Sequence, residues 1–148
     1  MGKNIGKVFD FTQYLTAKGY SKDFGVTSAR ITYHDPCHLV RGMNVSKEPR
    51  DILKSIPGVE LAEMKDANKC CGCGGTFSLA HYDISRTINE EKIDNVEKTG
   101  AEVLLTGCSG CRMHLSDGLS RRGSKMTVMH TAEFIAAAYR DNKEGGNK

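Results

Sequence analysis

Apolar positions along this chain switch repeatedly between a helical and a strand-like spacing. Val8, Phe9, Phe11, Tyr14 and Leu15 recur at helical intervals and Gly19 follows as a stop, which predicts a helix over 8–18. "ARITYHD" (29–35) is a short β-prone run. "KEPRDILKSIPG" (47–58) puts Ile52, Leu53 and Ile56 on one helical face and ends at Pro57-Gly58. "VELAEM" (59–64) predicts a second strand. Residues 76–100 predict one long helix capped by Gly100. Its apolar face opens with Phe77, Ala80, Ile84 and Ile88, then shifts to Ile93 and Val96, which leaves room for a bend. A third strand (102–106), a helix (109–123), a fourth strand (125–130) and a last helix (131–140) complete the pattern.

Strands separated by helices favour right-handed crossovers and parallel pairing. The expected fold class is therefore α/β, a three-layer domain with a small, mostly parallel sheet. It occupies residues 1–140, with a polar tail at 141–148. No internal repeat or low-complexity block interrupts it.

In such sheets ligands sit beyond the carboxyl ends of the strands. That rule gives the six cysteines a meaning. Cys37 follows the first predicted strand. Cys70, Cys71 and Cys73 follow the second, in "KCCGCGGTF". Cys108 and Cys111 follow the third and open a helix. If the strands are parallel, all six lie on the carboxyl-terminal rim, although the chain separates five of them as C-x32-CC-x36-C-x2-C, with Cys73 inside the second spacer. Helix N-termini stabilise thiolates, and thiolates are what zinc and iron bind. The interleaved glycines let the backbone come close to a bulky ligand.

Composition narrows the setting. A length of 148 residues with 39% hydrophobic residues suits one domain with an adequate core, so a disulfide scaffold is not needed. A net charge of +3, scattered basic residues and no Trp give no footprint for nucleic acid. Arg121 and Arg122 read as the solvated end of a helix. No run is apolar enough for direct membrane insertion, and "MGKNIGKVFDFTQYL" carries neither a secretory leader nor a myristoylation signal. The expected compartment is the cytoplasm, peripheral to a membrane complex at most, where thiols serve as ligands or redox groups.

The residues "YHDPCHL" (33–39), "IPGVELAEM" (56–64), "CCGCGGTF" (70–77), "TGAEVLLTGCSGC" (99–111) and "VMHTAEFIA" (128–136) resemble the cysteine-rich CCG domain of the heterodisulfide reductase B subunit. Related domains occur in the iron–sulfur subunits of glycolate and lactate oxidation systems. The resemblance runs from Val8 to Tyr139 and is to the C-terminal half of the longer family members. It implies that Cys37, Cys70, Cys71, Cys108 and Cys111 hold a 4Fe–4S cluster of the non-cubane type. It also implies electron transfer in an oxidoreductase, with flavin or ferredoxin-type redox subunits as partners. At the level of the complex the substrate would be a disulfide or a 2-hydroxy acid such as glycolate or lactate. Cys73 departs from the family pattern. It reads equally as a small buried hydrophobe and as a further ligand or reactive thiol.

Two other readings stay open at this stage. One is a zinc site in a structural or interaction module of a larger redox complex. The other is a metal-free thiol protein exchanging disulfides through Cys70, Cys71 and Cys73. His34, His38 and His130 fall on the predicted rim and read as hydrogen-bonding or loop-fixing groups, with support of a neighbouring ligand or proton delivery open to His38. His81 and His114 read as ordinary helix residues. The methionines read as core filling, and no pair of carboxylates suggests acid–base catalysis.

Overall fold

The computed structural model describes residues 8–20 and 22–145, the last five by backbone alone. Residues 1–7, read above for leader and lipidation signals, lie outside the described residues, as does the end of the polar tail. Four strands form one wholly parallel sheet: β1 (Ala29–His34), β2 (Val59–Leu61), β3 (Val103–Thr106) and β4 (Thr127–His130). Six α-helices accompany them among the described residues. These are α1 (Phe11–Lys18), α2 (Lys47–Lys54), α3 (Phe77–Ala80), α4 (Tyr82–Glu97), α5 (Ser109–Arg121) and α6 (Thr131–Gly145).

Alternation along the strands divides the core into two. Ile31, Tyr33 and Leu105 pack with Ile52, Leu53 and Ile56 from the α2 region and with Phe134, Ile135 and Ala138 of α6. On the opposite face Leu104 and Val128 meet Ile93 and Val96 of α4 and Leu115 and Leu119 of α5. The three-layer α/β expectation is met.

The strand order is β2-β1-β3-β4. The chain winds outward from β1 to β2, then returns to pair β3 on the other side of β1. The carboxyl ends of β1 and β3 therefore flank the point where the winding reverses, the place where open α/β sheets leave a crevice.

Several element boundaries differ from the sequence pattern. α1 begins at Phe11 because Asp10 caps it. The Asp10 carboxylate accepts from the Thr12 N–H at 2.8 Å, and Gln13 accepts from the Asp10 N–H at 3.3 Å. A π-helical turn, His38–Gly42, follows Cys37 and was not expected. The long helix is two helices, broken at His81 (φ −132°, ψ 55°). Ile84, placed on its buried face by periodicity, is 57% exposed. The face of α4 that is buried consists of Ser85, Asn89, Lys92, Ile93 and Val96. Its first two turns pack on a loop of backbone carbonyls, so polar residues sit where an apolar stripe was expected. Arg121 and Arg122 are not simply solvated either. Arg121 donates to Asn89 Oδ1 at 3.1 Å, and Arg122 pairs with Asp94 and Glu97, clasping α5 to α4.

Candidate metal centre

Three loops leave the carboxyl ends of β1, β2 and β3, and each brings cysteines. Cys37 opens the π-helical turn after Pro36. Cys70, Cys71 and Cys73 lie between β2 and α3, and Cys108 is the N-cap of α5 with Cys111 in its first turn. All six are free thiols. They are graded by depth: Cys71 and Cys111 are buried, Cys70, Cys73 and Cys108 are half-buried, and Cys37 is exposed. The result is a bowl with a closed floor and an open lip at Cys37.

His34 completes the floor. It is the last residue of β1 and is 0% exposed. One of its ring nitrogens and the sulfurs of Cys71 and Cys111 all lie within 4.8 Å of one another. Sequence reasoning read His34 as a loop-fixing residue. Its position ending a strand that feeds a cysteine loop was the available signal.

Four polar atoms on β1 and β3 are among those without a hydrogen-bond partner: Thr32 Oγ1, both ring nitrogens of His34, and Thr106 Oγ1. Thr32, His34 and Thr106 are each 0% exposed. Thr106 is the register neighbour of His34, and Thr32 is two residues before it on the same strand, so all three side chains share the α4–α5 face. Unsatisfied buried groups are rare and cost about 1–3 kcal/mol each.

The cysteine loop is held from beneath by the polar stripe on α4. Ser85 donates to the Gly72 carbonyl at 2.7 Å and Asn89 to the Cys71 carbonyl at 3.1 Å. Lys92 Nζ donates to the carbonyls of Asp66 at 2.5 Å and Ala67 at 3.3 Å. The Ala67 carbonyl also accepts from the Asp35 N–H at 3.1 Å, which joins this loop to the one carrying Cys37. Lys92 is 2% exposed, and burial holds its pKa down at about 8 against the pull of Cys71 and nearby carboxylates.

A second clamp fixes the Cys37 loop. Arg50 of α2 grips Asp35 through two bonds of 2.8 Å and reaches Glu63 at 2.8 Å and the Ser46 carbonyl at 2.8 Å. The Asp35-Pro36 segment that leads β1 into Cys37 is thus anchored.

The thiols feel one another. The Cys71 thiol is pulled well below its ordinary value, first by the Cys111 thiol donating to it and then by the His34 ring and the Cys73 N–H, with burial opposing. The same contact with Cys71, together with burial, pushes Cys111 the other way. Burial raises Cys70, and the charges of Cys71, Cys37 and Cys73 add to this, while the Gly72 N–H donates to its sulfur at 3.3 Å. Cys73 stands beside Cys108: a Cβ placed on Gly110 would be 3.4 Å from the Cys73 sulfur and 3.9 Å from that of Cys108. The bowl is therefore electrostatically one unit.

Of the other histidines, His130 accepts from the Ala132 N–H at 3.2 Å and fixes the start of α6. His114 lies 3.2 Å from the Ser85 hydroxyl, beside the Gly72 turn, so it is part of the loop's support. His38 is exposed next to Cys37. A cavity of about 310 Å³ opens beside Cys70, lined by Lys69, Ile88, Glu91, Lys92 and Asn95.

This donor set fits a metal or iron–sulfur group. Thiolates suit thiophilic metals, and the buried His34 ring beside Cys71 and Cys111 has no hydrogen-bond partner of its own. Among the described residues no helix is long and apolar enough to cross a membrane.

Comparison with known proteins agrees with this chemistry. The cysteine-rich (CCG) domain family matches residues 31–116. The B subunit of the fumarate reductase (CoM/CoB) of Methanothermobacter marburgensis is 35% identical over 136 residues, covering 91% of this chain and 28% of that protein. Lactate utilization protein A of Oceanobacillus iheyensis is 36% identical over 141 residues, covering 95% of this chain and 56% of the relative. Its counterpart in Bacillus subtilis is 36% identical over 134 residues, covering 90% and 56%. The chain thus spans little more than half the length of these curated relatives, or less.

Proposed function

The chain belongs to the cysteine-rich CCG domain family, and we propose that it holds a 4Fe–4S cluster, of the non-cubane type, as an electron-transfer component of a larger oxidoreductase. The observation that carries this reading is the bowl itself. Five thiols, Cys37, Cys70, Cys71, Cys108 and Cys111, lie on loops that leave the carboxyl ends of three neighbouring strands, and a tetrahedral zinc needs only four ligands. When bound, such a cluster supplies one-electron transfer and a thiophilic surface.

The chain's own residues do the rest. Cys71 and Cys111 fix the deep side. Cys108 is the N-cap of α5, at the end of the helix whose free N–H groups face the bowl's side of the loop. Lys92 sets a buried cation against the negative charge of several thiolates. Cys37 borders the solvent side, where a sulfur substrate or a partner subunit approaches. The reaction class proposed is oxidation of a 2-hydroxy acid such as lactate or glycolate, or heterodisulfide-reductase-like chemistry, and relatives named as a lactate utilization protein and a fumarate reductase (CoM/CoB) subunit support it. Flavin or ferredoxin-type subunits deliver or remove the electrons, in a cytoplasmic setting.

The buried His34–Cys71–Cys111 group favours a second reading, a zinc site in a structural or docking module. Anaerobic purification with iron, sulfide and zinc analysis separates the two. Iron and sulfide with a visible charge-transfer band are expected. Colourless protein with one zinc per chain would replace the first reading by the second.

A further inference from the structure

We propose that His34 is an imidazole N–H donor built into the floor of the cysteine bowl, where it orients Cys71 and Cys111 and makes the bound cluster easier to reduce. The inference rests on the iron–sulfur reading above and adds a positioning residue to it.

Hydrogen-bond accounting at His34 points to a donor. A neutral imidazole has one donor and one acceptor. His34 is wholly buried, yet neither ring nitrogen has a partner. Such unsatisfied buried atoms are rare and costly, and an acceptor brought within reach of the donor relieves that cost. Sulfur is the acceptor at hand, since the sulfurs of Cys71 and Cys111 lie within 4.8 Å. The second nitrogen has a candidate donor in Thr106, its register neighbour, whose hydroxyl is equally unpartnered.

The ring is also held rigidly. His34 ends a strand hydrogen-bonded on its β3 side, and the next residue, Asp35, is clamped by Arg50. The two cysteines it faces come from different loops, one held by Asn89 and one in the first turn of α5. A fixed donor between two sequence-distant sulfurs sets their separation. The choice of donor over ligand follows from supply, because the five thiols proposed above as ligands already suffice for the cluster. A hydrogen bond to cluster or cysteine sulfur stabilises the more negative, reduced state, so it raises the potential.

The experiment uses the full chain, purified or reconstituted anaerobically, with His34→Gln and His34→Phe. Iron and sulfide content, midpoint potential and the nitrogen hyperfine spectrum of the paramagnetic state are read for each. The expected result is cluster loading in all three. The potential moves negative in His34→Phe and is partly restored by the amide donor of His34→Gln. The wild-type spectrum shows only a weak nitrogen coupling, of hydrogen-bond size. Equal potentials in loaded wild type and variants overturn the inference while leaving the cluster reading intact. A strong nitrogen coupling that disappears with His34 overturns it too, making His34 a direct ligand. Should His34→Phe fail to fold, the wild-type coupling and the His34→Gln potential still decide. Wild-type protein without iron and sulfide overturns both readings.

Discussion

The hydroxyl of Ser85 on α4 donates to the carbonyl of Gly72 at 2.7 Å, so the residue after the paired cysteines is held from below by a helix that starts ten residues later. Gly72 has φ +95°, and a Cβ there would run into the Ser85 carbonyl and come 3.1 Å from His114 Nε2. Gly72→Ala is expected to destabilise the fold by at least about 1–3 kcal/mol, the scale of a forced backbone conformation. Iron loading should fall with it. Gly75, at φ +60° with open space around it, is the control: Gly75→Ala should cost only about 1–2 kcal/mol and keep the metal. Urea midpoints and iron content of the two variants check this, and equal behaviour would dispose of the packing argument.

Cys37 and Cys108 stand in two different loops, neither on the buried floor. Cys37→Ala and Cys108→Ala should each lose most of the bound iron while the helical circular dichroism stays near wild type. Cys73→Ala should keep its iron, since Cys73 packs against Gly110 beside the bowl. Full metal retention by the first two variants would sink the ligand assignment. Loss in the third would promote Cys73 to a ligand.

Arg50 and Asp35 form a two-point pair in which Asp35 is 4% exposed. Truncating one partner of a buried pair costs about 3–5 kcal/mol, and the partial exposure of Arg50 puts Arg50→Met at the lower end. Arg50→Lys should recover less than half, because an ammonium cannot grip both oxygens. Chemical denaturation of the metal-free proteins reads this directly; a loss below about 1 kcal/mol in Arg50→Met would mean the clamp is idle.

Lys92 titrates at about 8 in the fold, below its ordinary 10.5. Between these values the unfolded chain binds more protons than the folded one, so this group makes stability rise with pH. Below about 8 both states are protonated and the slope vanishes. The stability difference between wild type and Lys92→Met, measured on reduced, metal-free protein, should therefore climb in favour of wild type from pH 8 to 10.5. The slope should be at most about 1.4 kcal/mol per pH unit. A flat difference would show Lys92 to be ordinary.

The legible part of this protein was its alternation. β-prone runs between helical ones dictated a parallel sheet, and the cysteines following three of those runs dictated a shared rim. What stayed hidden involves partners that periodicity does not see. Ser85, Asn89 and Lys92 look like the solvent side of α4 because their partners are backbone carbonyls of a loop, and carbonyls have no letter in the sequence. Ile84 and Ala80 look buried for the converse reason: the break at His81 turns their spacing into two unrelated faces. His34 reads as one polar residue ending a strand. Its burial beside Cys71 and Cys111 needs the sheet register and two distant loops to be known together.

The spacing of the thiols along the chain has a consequence for folding. Each crossover between cysteine groups is a closed excursion that leaves the rim and returns to it. A guest gripped by all three loops ties those excursions off at their mouths, as a cross-link does. A long tether costs only slightly more to close than a short one. Insertions within the crossovers should thus be borne easily, whereas a shift of one residue beside the rim should not. On the proposed function a loaded centre is also a clasp, and emptying it should loosen three loops at once while the two hydrophobic clusters behind them stay shut.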